Sequence, residues 1–379
     1  MKKQDFISRE AGRIVKAPEG YYAFVPAPLP PGLDYSAELV TALSRADSAL
    51  GELSGLGRNL PNPYLLIAPY VRREAVLSSR IEGTQADLSD VLLNEAAGIA
   101  AEGDQDDVQE VRNYVTSLEY GIKRLGSLPL SLRLVRELHE RLMAGVRGGS
   151  ATPGEFRRSQ NWIGPPGSTL ETAAYVPPPP PEMLSALGDW EKFLHQRDLL
   201  PDLIQCALMH EQFEAIHPFL DGNGRIGRLL ITLFLMERGR LSQPLLYLSD
   251  YIEAHRDEYY RCLQRVRTHG DWQAWLRYFL TGVEQTASGA RQKAADILDL
   301  RESLKIKVQE KPRLVALLDT LFINPYVTVK GAAEAMSVTQ PTSRSAIRQL
   351  TEQGILEEVT GKGWGRIYLA RPVLEIIRG

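Results

Sequence analysis

A short stretch near the middle of the chain, His217–Arg228, places a helix end, a glycine-rich turn and a helix start next to one another. Proline at 218 disfavours helical backbone in the residue before it, so the apolar helix upstream must end near His217. Gly222 and Gly224 allow the backbone between the helices to turn its N–H groups towards one point. The next helix adds the positive end of its dipole at the same place. The stretch therefore predicts an anion site between two helices.

The polar side chains of this stretch supply the chemistry for phosphoryl or nucleotidyl transfer. His217 is a candidate base for a hydroxyl nucleophile, since imidazole titrates near neutral pH. Asp221 is the kind of carboxylate that Mg²⁺ takes together with phosphate oxygens and water. Arg225 and Arg228 lie three residues apart, so they share one region of the first helical turn. The alternative is a tight turn with a structural histidine, but transfer from a polyphosphate accounts for all of these groups.

Helical patterns dominate the chain, which predicts a mainly α fold. Asp34 or Ser36 caps a first helix that breaks at the Gly55–Pro63 stretch, and a second helix runs from about Leu65 to Ser79. Further helices are predicted at 106–124, 130–145, 183–195, 202–216, 225–239, 257–267, 271–285 and 286–309. The Pro- and Gly-rich segment 152–181, with extended pieces near 158–163 and 173–176, predicts a small β-hairpin that projects from the helices.

The last seventy residues follow a different pattern. Helices are predicted at 313–322, 332–336 and 342–353, followed by short strands at 355–359 and 366–369 around a Gly-rich turn. This order is typical of a winged helix-turn-helix. The predicted organisation is an N-terminal helical region (1–105), a catalytic core (106–285), a linker helix (286–310) and the winged helix-turn-helix (311–379).

Composition narrows the class of protein. Of 379 residues, 44% are hydrophobic and 24% charged, with a net charge of −3, which excludes a disordered chain or one bound wholesale to nucleic acid. No apolar run is long enough for a membrane span, and the first residues lack the apolar core of a signal peptide. Cys206 and Cys262 lie in apolar helical stretches and are expected to be core residues in a reducing compartment. We therefore expect a cytoplasmic protein with no membrane contact.

The stretch His217–Arg228 resembles the signature of the Fic family, His-Pro-Phe-x-(Asp/Glu)-Gly-Asn-Gly-Arg-x-x-Arg, at every specified position. The resemblance implies a helical core in which a hydroxyl of a target protein attacks the α-phosphate of ATP, giving an AMP-modified side chain and pyrophosphate. The implied roles are a base (His217), a Mg²⁺ ligand (Asp221), a phosphate cradle (Gly222, Asn223, Gly224) and arginines for the β- and γ-phosphates (Arg225, Arg228), with Gly227 among the nucleotide-binding residues. Relatives that act as kinases have lysine in place of Gly224, so glycine favours AMP transfer.

A second segment, Ser78–Gly83, resembles the inhibitory motif of the same family, (Ser/Thr)-x-x-x-Glu-(Gly/Asn). The resemblance implies that Glu82 pairs with Arg228 and keeps it from the γ-phosphate. We expect a bidentate pair, with Ser78 one helical turn earlier as a tether. An ordinary helix end with a solvated Glu82 is the alternative. In some relatives the glutamate also positions water for removal of AMP, so the resemblance allows a reverse reaction.

Two further segments resemble parts of the family's nucleotide pocket. Residues 157–164 are similar to its flap, which aligns a target strand, and Asn161, Trp162, Ile163 and Gly164 would line one wall. The alternative is a Pro-rich surface loop with a buried Trp162. Tyr259 and Tyr260 resemble the helix beside adenine, where stacking and ordinary core packing are equally open. The target protein is not readable from the sequence. Self-modification and, by analogy with such enzymes, a homodimer are expected.

The tail leaves a competing function open. Residues 311–379 carry nine basic and six acidic side chains, a balance of +3. The third helix has polar and basic residues suited to DNA, and Lys362 and Arg366 suit a wing. Winged helices also dock proteins, so DNA and protein contact are equally open. The alternative to an enzyme is a DNA-binding transcription regulator whose core senses nucleotide, although an intact His217 and Asp221 favour the enzyme.

Overall fold

The computed structural model describes residues 2–59, 62–98, 105–146, 152–165, 167–361 and 364–378. Fifteen α-helices and five short strands lie in these ranges. The helices are α1 (Ala37–Asn59), α2 (Tyr64–Ile81), α3 (Leu88–Ala97), α4 (Gln105–Leu125), α5 (Leu132–Leu142), α6 (Pro180–His195), α7 (Asp202–Ile216), α8 (Asn223–Glu237), α9 (Ser249–Ala254), α10 (Arg256–His269), α11 (Trp272–Lys307), α12 (Pro312–Ile323), α13 (Val329–Met336), α14 (Gln340–Glu352) and α15 (Arg371–Arg378). The strands are β1 (Gly12–Lys16), β2 (Tyr22–Pro26), β3 (Tyr326–Thr328), β4 (Glu357–Glu358) and β5 (Ile367–Leu369). The mainly α prediction is confirmed.

Helix α7 is the centre of the fold. Every residue of α7 after Asp202 is buried, which a helix with apolar residues on all sides requires. Helices α6, α8, α10 and α11 pack around it. Cys206 and Cys262 lie buried within this helical core, as expected. The end of α7, and the start of the stretch that follows, therefore lie in the buried core of the molecule.

The first helix and the long helix differ from their predicted bounds. Ser36 Oγ accepts a hydrogen bond from the Leu39 N–H and begins α1, but the helix continues through Gly55 and Gly57 to Asn59. The two helices predicted at 271–285 and 286–309 are one helix, α11, so the residues that the structure describes contain no separate linker helix. Helix α1 packs along α11, and this long contact outweighs the helix-breaking tendency of single glycines.

The N-terminal region contains a β-hairpin that the sequence patterns did not predict. Strands β1 and β2 pair antiparallel, and the Phe24 N–H donates to the Val176 carbonyl at 2.9 Å. Among the described residues of 152–181, the predicted hairpin is reduced to one bridge between Ile163 and Tyr175. The β1–β2 hairpin therefore lies against this segment and supports it from the side.

The last described residues contain the three predicted helices followed by two short strands, but the sequence patterns missed strand β3, which lies between α12 and α13. Strands β3, β5 and β4 form an antiparallel sheet in that order, and the missed helix α15 follows it. Lys362, expected in the wing, lies outside the described residues. This unit does not stand apart, because α12 and α15 pack on α2 and β3 packs on α3. Among the described residues, no helix has both the length and the apolar character needed to cross a lipid bilayer.

Candidate active site

His217 lies where the buried helix α7 ends. It is the C-cap of α7 in a left-handed conformation, with φ 50° and ψ 61°, and its N–H donates to the Phe213 carbonyl at 3.0 Å. Its own carbonyl accepts from Arg157 Nε at 3.0 Å and from Asn161 Nδ2 at 3.3 Å. These contacts hold a half-buried imidazole at a rigid point of the fold.

The electrostatic surroundings keep His217 neutral. Burial, followed by the positive charges of Arg267 and Arg157, lowers its pKa to about 3. Its Nδ1 has no hydrogen-bond partner among the described residues. A neutral imidazole can accept a proton, and negative phosphates placed beside it would raise the pKa again.

Asn223 shapes the loop that follows. Its Oδ1 accepts from the Phe219 N–H and its Nδ2 donates to the Phe219 carbonyl, both at 2.8 Å. Gly222 has φ 77°, a conformation that favours glycine, and forms the N-cap of α8. The side chain of Asn223 is therefore occupied in closing the loop, and what the loop offers an anion is the free N–H groups at the start of α8.

Glu82, at the end of α2, reaches into this cradle. A Cβ atom at Gly224 would overlap Glu82 Oε1. The same oxygen accepts from Arg228 Nη2 at 2.7 Å. Arg228 also donates from Nε to Ser78 Oγ at 2.9 Å and from Nη2 to the Ser78 carbonyl at 2.8 Å. The structure thus brings Ser78, Glu82 and Arg228 together, but the expected bidentate pair is wrong, because one hydrogen bond joins Glu82 to Arg228 while Nε and Nη2 of Arg228 also donate to Ser78.

Glu82 and Arg228 are both charged at neutral pH. Burial raises the pKa of Glu82, but the charge and hydrogen bond of Arg228 outweigh burial and hold the pKa below its usual range. Burial lowers the pKa of Arg228, and the charge of Glu82 more than reverses this. A carboxylate therefore lies beside Gly224, in the first turn of α8, and next to Arg228.

Arg225 is held by a second carboxylate that the motifs did not indicate. Its Nη1 donates to Glu110 Oε2 at 3.1 Å, and its Nη2 lies 3.5 Å from Asp221 Oδ1. Arg225 is buried, whereas the Asp221 side chain is 50% exposed at the mouth of the loop. Glu110 lies on α4, an amphipathic helix without any motif, so no sequence signal pointed to it.

His139 and Arg157 hold the backbone of the loop between α7 and α8. The sequence analysis did not identify either of them as a site residue. The His139 ring stacks on Phe219 at 3.7 Å, and its Nδ1 accepts from the Gly154 N–H, so Nε2 carries the proton and donates to the Asp221 carbonyl at 3.0 Å. Burial lowers the pKa of His139 to about 4. The Arg157 guanidinium gives its hydrogen bonds to backbone carbonyls of the loop and of the segment 157–178.

Gly227 and Tyr259 face the core instead of the cradle. A Cβ at Gly227 would overlap Glu214 Oε1, so this glycine permits close approach of α8 to α7. The Gly227 carbonyl accepts from His210 Nδ1, which leaves His210 Nε2 to accept from the Tyr259 hydroxyl at 2.8 Å. Tyr259 is 1% exposed. Both residues therefore have packing roles, and of the two tyrosines only Tyr260, at 41% exposed and with Arg256 over its ring, reaches the surface.

The segment predicted as a flap lies beside the loop. Asn161 Nδ2 donates to the Phe219 carbonyl at 2.8 Å, which ties this segment to the signature stretch. Trp162 is 43% exposed and donates from Nε1 to the Ser168 carbonyl, so the alternative of a buried Trp162 is wrong. Ile163 pairs with Tyr175, and a Cβ at Gly164 would overlap Ser168. These residues form an ordered edge next to His217.

Comparison with known proteins agrees with this geometry. Protein adenylyltransferase Fic of Aedes aegypti is 31% identical over 159 residues, 41% of this chain and 28% of that protein. The Drosophila virilis protein of the same name is 32% identical over 162 residues, 42% of this chain and 30% of that protein. The chain spans less than a third of the length of these curated relatives.

Solved structures share the fold. A crystal structure of a Fic family protein from Desulfovibrio desulfuricans covers 90% of this chain and 98% of its own, with 20% identity and a TM-score of 0.59. Fic-1 from C. elegans covers 68% of this chain and 74% of its own, with 20% identity and a TM-score of 0.51. The family models Fic/DOC family N-terminal and Fic/DOC family match residues 40–123 and 129–235, together about half of the chain. With these two matches lying in order around the site, the chain belongs to the Fic/DOC family.

Proposed function

We propose that the chain is a protein adenylyltransferase that moves AMP from ATP to a serine, threonine or tyrosine hydroxyl of a target protein. The observation that carries the proposal is the carboxylate of Glu82 in contact with Arg228 and Gly224, because it marks an anion site next to a neutral histidine. The names of the relatives, protein adenylyltransferase Fic, support the same reaction.

In the proposed reaction His217 accepts the proton of the target hydroxyl. The oxygen then forms a bond to the α-phosphorus of ATP, and the bond from that phosphorus to the bridging oxygen of the β-phosphate breaks. Pyrophosphate leaves with the electron pair of that bond. The N–H groups at the start of α8, with Arg225 and Arg228, neutralise the phosphates and hold the α-phosphorus in line for attack. Asn161 to Gly164 would align a strand of the target, and Tyr260 would flank the adenine.

Asp221 is the proposed ligand for Mg²⁺. Its half-exposed carboxylate at the mouth of the cradle fits an ion that takes one carboxylate together with phosphate oxygens and water. Bound there, Mg²⁺ would supply charge neutralisation of the β- and γ-phosphates. Asp221 Oδ1 accepts from the Gly222 N–H, which orients the carboxylate towards the start of α8.

The proposed regulation is autoinhibition by Glu82. While Glu82 holds Arg228, this arginine cannot bind the γ-phosphate, and the space beside Gly224 is filled. ATP then binds poorly or with its α-phosphate out of line. A reverse reaction that removes AMP, self-modification, a homodimer and a cytoplasmic location remain predictions of the family resemblance and the composition.

The test measures the incorporation of labelled AMP from ATP with Mg²⁺, both into proteins of a cell lysate and into the protein itself. Glu82→Gly should raise incorporation at least about tenfold, since breaking a charge-assisted pair is worth about 1.5–3 kcal/mol. Glu82→Gly combined with His217→Ala should abolish it, with the melting temperature as a control for folding. Equal labelling by the wild type and Glu82→Gly would refute autoinhibition, and labelling without His217 would remove its role as base.

A transcription regulator that only senses nucleotide is not favoured, because it has no need for the neutral histidine or Asp221. Contact of residues 311–379 with DNA or with a protein stays a prediction. Contact with DNA is tested by a gel shift with genomic DNA fragments, in which the wild type is compared with the Arg344→Ala variant on the exposed face of α14.

A further inference from the structure

The segment that leaves the inhibitory helix is fastened to α4. Thr84 Oγ1 donates to Glu110 Oε2 at 2.9 Å, and the Gln85 N–H donates to Asp107 Oδ2 at 2.6 Å. Thr84, Asp107 and Glu110 are all buried. Hydrogen bonds from a hydroxyl and an amide to buried carboxylates are stronger than neutral ones. Two acidic residues one turn apart on α4 thus hold two consecutive residues of this segment.

One oxygen of Glu110 serves two purposes. Glu110 Oε2 accepts from Thr84 Oγ1 and also from Arg225 Nη1. Arg225 is buried, so without Glu110 its charge would lack its closest partner. The same carboxylate therefore fixes a phosphate-binding arginine and the segment that follows Glu82.

The Glu82 side chain is held by its charge-assisted hydrogen bond to Arg228. The side chain is 35% exposed, and its hydrogen bond to Arg228 joins a single carboxylate oxygen to a single guanidinium nitrogen. Gly83 follows with φ 106°, a conformation that glycine adopts readily; its N–H donates to the Arg80 carbonyl at 3.0 Å and its carbonyl accepts from Gln85 Nε2 at 2.9 Å. The position of Glu82 therefore depends on anchors at both sides, Ser78 before it and Thr84 after it.

We propose that Asp107 and Glu110 form a latch that keeps Glu82 in the phosphate cradle, and that Glu110 is also a positioning residue for Arg225. The inference rests on the proposed function, since it names how the inhibition of that site is maintained. Release of Thr84 lets the Gly83 backbone move and withdraws Glu82 from Arg228, while Glu110 keeps its hydrogen bond from Arg225.

The test for the latch uses Thr84→Val, which keeps the shape of the side chain and removes the donor. The matched control is Thr116→Val on the exposed side of α4, where the hydroxyl donates to the Arg112 carbonyl within its own helix. We expect Thr84→Val to raise both the affinity for ATP with Mg²⁺, by calorimetry, and the rate of AMP incorporation, each by about three- to tenfold. Thr84→Ser retains the donor and should match the wild type.

A double-variant cycle identifies the route. In a Glu82→Gly background, Thr84→Val should add nothing, because the latch acts through Glu82. In the same background, Glu110→Gln should raise the KM for ATP several-fold with a smaller effect on kcat, since it loosens Arg225. Equal ATP affinity and rate in Thr84→Val and Thr116→Val would overturn the latch, and an unchanged KM in Glu82→Gly/Glu110→Gln would overturn the positioning of Arg225.

The binding measurement separates this inference from the proposed function. If Glu82→Gly binds ATP tightly and transfers no AMP, the proposed function fails, yet Thr84→Val must still raise the ATP affinity for the latch to stand. If Glu82→Gly transfers AMP and Thr84→Val binds and reacts as the wild type does, the function stands and the latch is wrong.

Discussion

Buried acids surround the site at the scale of single residues. Glu74, Glu211 and Glu214 are buried, and burial raises the pKa of each to about 7. Glu74 Oε1 accepts from the Tyr114 and Ser249 hydroxyls, while its Oε2 has no partner among the described residues. A carboxyl whose pKa is higher in the folded than in the unfolded state binds more protons when folded. Its contribution to stability is therefore lost as the pH rises from about 4.5 through 7.

Replacement of Glu74 should reduce this pH dependence. The melting temperature of the wild type is expected to fall between pH 5.5 and pH 8. Glu74→Gln keeps an acceptor for both hydroxyls and cannot ionise. At pH 5.5 its free energy of unfolding should be lower than that of the wild type by about 1 kcal/mol or less. At pH 8 the difference should become smaller or reverse, because only the wild type loses stability on ionisation. Thermal melts at both pH values measure the difference, with the exposed Glu119→Gln as a control. Parallel curves for the wild type and Glu74→Gln would show that Glu74 does not carry the effect.

His139 should affect the use of Mg²⁺ through its hydrogen bond to the carbonyl of Asp221, the proposed ligand. His139→Phe preserves the stack on Phe219 and leaves the Gly154 N–H and the Asp221 carbonyl without their partners. We expect a stability loss of about 1–3 kcal/mol and a several-fold higher Mg²⁺ concentration for half-maximal ATP binding. A Mg²⁺ titration of ATP affinity measures this. A loss of stability with the same Mg²⁺ dependence would limit His139 to a structural role.

At the scale of elements, close helix contacts explain why certain glycines tolerate no side chain. Gly282 lies in the middle of α11, where a Cβ would come within 2.7 Å of Tyr251 Cδ1 on α9. Gly289 lies two turns later in the same helix, and nothing is within 4 Å of its missing Cβ. The two positions share one helix and differ in what packs against them.

Alanine should act in opposite directions at these two glycines. Gly289→Ala should stabilise the protein by about 0.5–1 kcal/mol through helix propensity alone. Gly282→Ala gains the same propensity but forces α11 and α9 apart, so we expect a net loss of about 1–3 kcal/mol. Urea unfolding of both variants tests this. The same sign of change at both positions would contradict the close contact of α11 with α9.

At the scale of the whole molecule, the C-terminal unit (311–379) shares its core with the helices around the candidate site. One continuous cluster of buried apolar residues extends from Leu39 in α1 to Ile377 in α15. Asn324 donates to the Leu92 carbonyl, and Arg378 contacts Asp87 and Ser89 just after the inhibitory motif. The helix that carries Glu82 is thus packed between the core and residues 311–379.

A shared core predicts a single unfolding transition. Leu317→Ala, at a fully buried position of α12, should cost about 2–5 kcal/mol and lower the midpoint of the whole transition. Leu184→Ala, at an exposed position of α6, should change little. Differential scanning calorimetry compares the two. Two separate transitions, with Leu317→Ala moving only the smaller one, would show that the C-terminal unit unfolds on its own.

Local patterns in the sequence determined the helices and the groups within single turns. Proline after His217, glycines around Asn223, and Ser78 one turn before Glu82 all act over a few residues, where backbone geometry follows directly from residue type. Apolar periodicity gave most helix positions within a few residues. It missed short elements such as α3, α9 and α15 and the β1–β2 hairpin, which persist only because they pack on the rest of the protein.

Tertiary packing decided which distant groups meet. Glu82 and Arg228 are 146 residues apart and Glu110 and Arg225 are 115 apart, and periodicity carries no information on such pairs. The same holds for the burial of Tyr259 beside an exposed Tyr260, and for the merging of two predicted helices into α11. The residue type determines which chemical groups a side chain carries. Its partner, its burial and its pKa depend on the helices that pack against it.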